Sequence, residues 1–362
     1  MQPDNTIKRD PFIDIIKTVA VFLMILGHCI QYGNGNEWYS SSAFLNYPLF
    51  KWIYSFHMPL FVMISGFLFY NTYTKYRLRD IVLKKTCSIA VPLGVWCFVD
   101  YILKVPVRGG GTGFWHIIKS FISNSIGCLW FLWTILACYA ITALLCVLLR
   151  KASGCYTFLT FAISFIALNL LTDAHNIMYI KWLIPYFWLG FFLNKHRESI
   201  EDKKVEKKKK LFVAITFGLL HFLLLLFYNN SCYIYVGKMY LFREGRPTYQ
   251  LALDLYRWII GLVGVIAFVS LLKLIYDSVS NESPRIFKEY NFSVLLLPGR
   301  YSLGIYILNN FFDLYLLLPL THSFSFSTLQ TTVEALLMLF IFTLMIRLIS
   351  RCIPLSHVLF GV

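Results

Sequence analysis

Charged residues are scarce in this sequence. Of its 362 residues only 14% are Asp, Glu, Lys or Arg, and acidic residues number 18 against 33 Lys and Arg. A water-soluble chain carries roughly a quarter charged residues. What fills the space is apolar: 58% hydrophobic, 18% aromatic, with a mean hydropathy of +0.65. One soluble core cannot hide that much apolar surface, so lipid must solvate the rest. Metal spacing is missing as well. The nine Cys are scattered through apolar runs without a CxxC pair, read as small core hydrophobes, and imply no metal site. There is no GxSxG elbow and no HExxH, which leaves a serine hydrolase and a zinc protease without support. A cleavable signal pattern is lacking too, and the first apolar run follows "IKRD" as a permanent span.

Apolar runs of roughly 18–25 residues, long enough to cross the hydrocarbon layer as helices, fall in ten places. They lie near 12–32, 48–71, 84–104, 129–149, 155–172, 177–194, 211–228, 250–275, 300–320 and 328–349. "FWHIIKSFISNSIG" (114–127) is amphipathic and suits the interface or a re-entrant path. The net charge of +15 invites a nucleic-acid reading, but its distribution argues for membrane loops. Lys8 and Arg9 precede the first span. Arg77, Arg79, Lys84 and Lys85 follow the second, Arg150 and Lys151 the fourth, and "KHRESIEDKKVEKKKK" (195–210) the sixth. The alternate loops are poorer in Lys and Arg, which puts the basic ones inside. The expectation is an all-α polytopic membrane bundle of about ten transmembrane helices, both termini cytoplasmic, forming one domain over 1–362. The Lys run at 207–210 is read as a solvated inside loop rather than a nucleic-acid site. "RGGGTG" (108–113) matches no phosphate-binding pattern.

The first span is the unusual one. "DIIKTVAVFLMILGHCI" keeps Asp14, Lys17 and His28 in a segment apolar enough for lipid. At about 100° per residue Asp14 and Lys17 share a face, and Lys17 and His28, eleven apart, are within about 20° of alignment. One stripe therefore runs from near the inner surface to the outer half of the membrane. Facing lipid, each group would cost roughly 2.5–3.5 kcal/mol, so the stripe is expected to face the bundle interior around a wet cavity. A structural reading pairs Lys17 with Asp14 and lets Lys17 snorkel. A functional one makes His28 a general base. In the second span, "SFHMPLFVMISGFLF" places His57 near the outer end and Pro59 where it would kink the entry. Ser65 and Gly66 allow close helix contact.

At these segments the sequence resembles the acyltransferase-3 family of integral membrane acyltransferases, and most closely its fucose 4-O-acetylase-like branch. The resemblance rests on "DIIKTVAVFLMILGH", "FHMPLFVMISGFLF", "LWFL" (129–132) and "GRYSLGIYIL" (299–308), within a ten-span chain. It implies transfer of an acyl group, often acetyl from acetyl-CoA, to a hydroxyl of a carbohydrate or lipid-linked sugar, as in O-acetylation of surface polysaccharide at the cell membrane. The family's basic residue, ten intervening residues and a histidine fall on Lys17 and His28. Arg is commoner at the first position, so Lys17 supplies a point charge rather than a fork. The last motif often closes with His, where this chain has Asn309; an amide orients a hydroxyl but takes no proton. Some relatives append a soluble esterase-like domain, and none is expected here.

The resemblance implies catalytic roles for His28, Lys17 and Asp14. Arg77, Arg79, Lys84 and Lys85 would hold the phosphates of acyl-CoA on the cytoplasmic side, with His57 and Asn309 toward the acceptor. Direct transfer and an acyl-His28 relay are both open. The partners expected are acyl-CoA, the sugar acceptor and membrane lipid, not nucleic acid. A proton-coupled transporter or glycolipid flippase is the alternative class, although no internal repeat of interrupted helices is present. A non-catalytic partner in polysaccharide assembly is the third.

Overall fold

The computed structural model describes residues 10–32, 43–75, 78–108, 114–149, 154–173, 176–197, 207–242, 245–282, 292–317 and 327–361. Helices dominate them, and no strand occurs among the described residues. The helices are α1 (Pro11–Tyr32), α2 (Pro48–Lys75), α3 (Leu78–Arg108), α4 (Phe114–Gly127), α5 (Trp130–Leu148), α6 (Gly154–Leu170) and α7 (Ile177–Lys195). They continue with α8 (Lys207–Leu225), α9 (Pro247–Glu282), α10 (Phe292–Arg300), α11 (Ser302–Phe312), α12 (Thr328–Ile349) and α13 (Ile353–Phe360).

Local chemistry sets several of the starts. Asp10 Oδ1 accepts from the Phe12 amide at 3.0 Å, and Pro11, which has no N–H to lose, occupies the first turn of α1. Ser327 and Gln330 form a reciprocal capping box at α12. Nine of the ten expected spans each fall mainly on one helix; 300–320 falls on α11 and the stretch after it as far as residue 317. Six helical segments are long and apolar enough to cross a membrane: 11–32, 48–75, 87–104, 130–148, 247–280 and 328–349. The segment 156–170 is apolar but shorter. Large side chains such as Phe158, Phe212 and Phe340 are 73%, 70% and 65% exposed. On a soluble protein such a belt would drive association; here it suits lipid. The molecule is a multi-pass membrane bundle.

The second span is unbroken at its proline. Pro59 lies inside α2, which is continuous from Pro48 to Lys75. A proline inside a helix costs roughly 3 kcal/mol, and here packing offsets it. α2 lies at the centre of the bundle, against α1, α5, α7 and α9. Its crossing with α7 is backbone on backbone. A Cβ on Gly66 would sit 1.9 Å from the Phe187 carbonyl oxygen, and one on Gly190 would sit 1.9 Å from that of Met63. Only glycine fits at either position.

On the other side of α2, α1 packs against α10, α11 and α12. Gly299 lets α10 reach α1: its amide donates to Thr18 Oγ1 at 2.8 Å, and a Cβ there would meet the Asp14 carbonyl oxygen at 2.1 Å. The amphipathic segment 114–127 is helical, and Leu129, in a left-handed conformation (φ 49°), turns the chain from α4 into α5.

Candidate active site

His28 faces α11. Its Nδ1 lies 3.0 Å from Asp313 Oδ2 and 2.6 Å from Asn309 Nδ2, and that same amide nitrogen donates to Asp313 Oδ2. Asn309 and Asp313 are four residues apart, so they stack on one helix face and reach the imidazole together. Both are fully buried, whereas the His28 side chain keeps 20% exposure. With its Nδ1 proton directed at the accepting Asp313 Oδ2, His28 cannot also accept from Asn309, whose N–H goes to Asp313 instead, and Nε2 is the nitrogen that can take a proton. A base oriented by an acid is the arrangement needed to activate a hydroxyl.

The surrounding elements hold this geometry in several ways. Asp313 opens a π-helical stretch, Asp313–Leu317, a wide turn that recurs at functional positions. Two residues on, Tyr315 donates to Asp100 Oδ1 at 2.6 Å. Asp100 is itself buried and also accepts from Lys104 and Asn124 at 2.7 Å each. The end of α11 is thus tied to α3 and α4. On α1, Gly27 leaves room for the Tyr54 ring of α2; a Cβ would approach it to 2.7 Å. Tyr54 in turn donates to Gln31 Oε1 at 3.4 Å. The "LWFL" and "GRYSLGIYIL" segments meet here too: the Phe131 amide donates to the Tyr306 hydroxyl at 3.4 Å, with their rings 5.4 Å apart.

The charged stripe is split into two stations. Asp14 is buried and lies 3.4 Å from Arg300 Nε, a pairing the sequence reading did not foresee. Lys17, half-buried, sits roughly 16 Å along the helix from His28 at 1.5 Å per residue. Asp14 and Lys17 therefore do not belong to the His28 cluster; Asn309 and Asp313 do. His57 is 2% exposed, its Nδ1 donates to the Ile53 carbonyl at 2.8 Å, and its ring packs 4.7 Å from Tyr54. In this structure it serves as a helix-packing group behind Tyr54. Arg77 lies outside the described residues, as do the side chains of Arg79, Lys84 and Lys85.

A cavity of about 760 Å³ opens at the opposite end of α1, lined mainly by apolar groups such as Ile13, Ile16, Met63 and Ile64. Its charged wall holds Arg197, Lys210 and Lys273 with Asp10. Arg197 pairs with Asp10 at 3.5 Å, and Lys210 and Lys273 share Asp277 at 2.8 and 2.9 Å. Among the described residues no group of three or more His, Cys, Asp or Glu could hold a metal ion.

An interior His–carboxylate pair in a multi-pass helical bundle defines a membrane protein equipped for proton-transfer chemistry. Residues 10–351 match the acyltransferase-3 family, described as an acyltransferase domain, and the chain belongs to that family. It is 28% identical over 208 residues to the nodulation protein NolL of Sinorhizobium fredii, covering 56% of this chain and 54% of that one. It is 27% identical over 189 residues to NolL of Mesorhizobium japonicum, covering 52% and 49%. The matched region spans about half the length of these curated relatives. No solved structure matches the chain.

Asp313 and Arg300 are the residues that sequence reasoning missed. Asp313 carried a usable signal: an acid inside an apolar run, one helical turn after Asn309, is a functional candidate by default.

Proposed function

We propose that this protein is a membrane O-acyltransferase that moves an acetyl group from acetyl-CoA to a hydroxyl of a carbohydrate or sugar-bearing lipid at the cell membrane. The observation that carries the reading is His28 held by Asp313 and Asn309 inside a bundle of this family. In the reaction His28 Nε2 takes the hydroxyl proton as the oxygen attacks the thioester carbonyl. The C–S bond breaks, an ester forms, and the departing thiolate takes the proton back from the imidazolium. Asp313 keeps the ring oriented and balances its transient positive charge. The donor suits the other end of the molecule. The apolar cavity with Arg197, Lys210 and Lys273 at its wall fits a molecule with a thin arm and a phosphorylated head. Arg77, Arg79, Lys84 and Lys85 sit in sequence after α2, whose last turns lie toward that same end, and they complete the phosphate-binding surface in this reading.

The test is acceptor-dependent release of CoA thiol by the purified protein in lipid. Wild-type protein should release thiol and acetylate the acceptor together, and His28→Gln should lower the rate by about 10²–10⁴. The His28→Gln protein should remain folded, because an amide preserves polarity while taking no proton at neutral pH. Near-normal transfer by that variant would remove the base assignment.

A further inference from the structure

Toward the His28 end of α1, three oxygen atoms are buried without a hydrogen-bond partner among the described residues: Asn309 Oδ1, Asp313 Oδ1 and Glu334 Oε2. Asn309 and Asp313 are 0% and 1% exposed. Asn309 Nδ2 donates to Asp313 Oδ2, and that same oxygen faces His28 Nδ1. Glu334 comes from α12, and helix directions place it at the same level. Gly299 meets Thr18 and Asn309 meets His28, so the α10–α11 segment runs parallel to α1. The Tyr301 hydroxyl lies 3.5 Å from Ser350 Oγ, so α12 ends where α11 begins and runs the other way. Met338 Sδ touches Cys29 Sγ at 3.5 Å. Glu334, one turn before Met338 on the same face, therefore lies about one turn beyond Cys29, at the level of Asp313. The chain leaves Glu334 half-buried, open to a bound molecule.

All three free atoms are acceptors. Leaving one acceptor buried and unpaired is costly, and leaving three at one end of the bundle calls for a partner rich in O–H donors. A polyol has that chemistry: neighbouring hydroxyls donate to fixed oxygens while one of them loses its proton to His28. We propose that Asn309, Asp313 and Glu334 form the acceptor subsite, accepting hydrogen bonds from adjacent hydroxyls of a carbohydrate whose reacting oxygen lies at His28. The assignment rests on the acyltransferase reading above and adds where the sugar is held and by which atoms.

Glu334 is the member that can be changed without touching His28 or its two partners. The assay uses the full chain in proteoliposomes, acetyl-CoA, and a panel of methyl hexopyranosides with the matching monodeoxy sugars. Glu334→Leu should raise the acceptor KM roughly ten- to a hundred-fold, the loss of one hydrogen bond to a charged group, and leave the KM for acetyl-CoA in place. The penalty that wild type shows for one particular deoxy sugar should vanish in this variant, because both changes remove the same bond. Glu334→Gln, which keeps an acceptor oxygen, should recover part of the affinity, and it carries the deoxy comparison if Glu334→Leu does not fold. An unchanged acceptor KM, with a raised thermal midpoint in Glu334→Leu, would show a carboxylate serving no ligand and overturn the subsite. If wild type acetylates none of the sugars, the acyltransferase reading and the subsite fall together; if it does, and the variants match it, only the subsite falls.

Discussion

At the residue scale the decisive feature is a division of labour between the two imidazole nitrogens of His28. Nδ1 is engaged by Asp313 and lies beside Asn309, which leaves Nε2 for chemistry. Asp313→Asn tests this better than deleting the histidine, because it keeps the shape and removes the acceptor that fixes the ring's tautomer. The amide can present its N–H to Nδ1, which turns the proton to Nε2 and blocks the base. We expect about 10²–10⁴ lower turnover, with normal insertion and an unaltered KM for acetyl-CoA; a variant retaining more than a tenth of wild-type turnover would separate Asp313 from the reaction. Asn309 stands where relatives of this family often have histidine, and the structure gives the substitution a sense. An amide nitrogen bonds Asp313 without taking a proton, so in the proposed reaction His28 would be the base.

At the element scale, positions and partners differ sharply in how readable they were. Hydropathy located the ten apolar runs because lipid forces every spanning segment to satisfy its backbone as a helix, and nine of them each fall mainly on one. Pro59 was read as a place for α2 to break or kink; α2 is unbroken there, because packing on several sides offsets the lost hydrogen bond. Periodicity put Asp14, Lys17 and His28 on one face of α1, yet it said nothing about which helix they meet. Arg300 and Asp313 lie some 280 residues away in sequence, and their relation to α1 exists only after folding. Glycines carried more of the fold than their number suggests. Gly66 and Gly190 each press on the opposing backbone, so α2 and α7 have no freedom to separate. Gly66→Ala and Gly190→Ala should each destabilise the protein strongly, by about 1–3 kcal/mol as overpacking does, read as a lower thermal midpoint in detergent. Gly94→Ala is the control, since nothing lies within 4 Å of a Cβ there. Equal midpoints for all three would mean that the crossing tolerates widening.

At the scale of the whole molecule, the two stations on α1 lie at opposite ends of a membrane-length helix, and this gives the reaction a direction. From Ile16 at the cavity to His28 is twelve residues, roughly 18 Å at 1.5 Å per residue. In the proposed reaction, a donor held by its phosphates at the basic end would extend an arm along the bundle to present its thioester at His28. The basic loops define that end as cytoplasmic by the positive-inside rule, which is also where acetyl-CoA is made. Lys210 and Lys273 share one carboxylate, Asp277, so the pair retains positive charge for a phosphate ligand. Reversing both, Lys210→Glu with Lys273→Glu, should raise the KM for acetyl-CoA about ten-fold or more while the acceptor KM stays put, because contacts to the donor's phosphates supply ground-state binding. The wild-type KM should also rise with ionic strength, and that salt dependence should flatten in the double variant. Vesicle orientation adds the sidedness. Acetyl-CoA supplied outside should be consumed by inside-out vesicles and not by right-side-out ones, since the charged donor does not cross lipid unaided. Consumption by sealed right-side-out vesicles would invert the molecule in the membrane, and an unmoved donor KM in the double variant would leave the cavity to an apolar ligand such as a lipid chain.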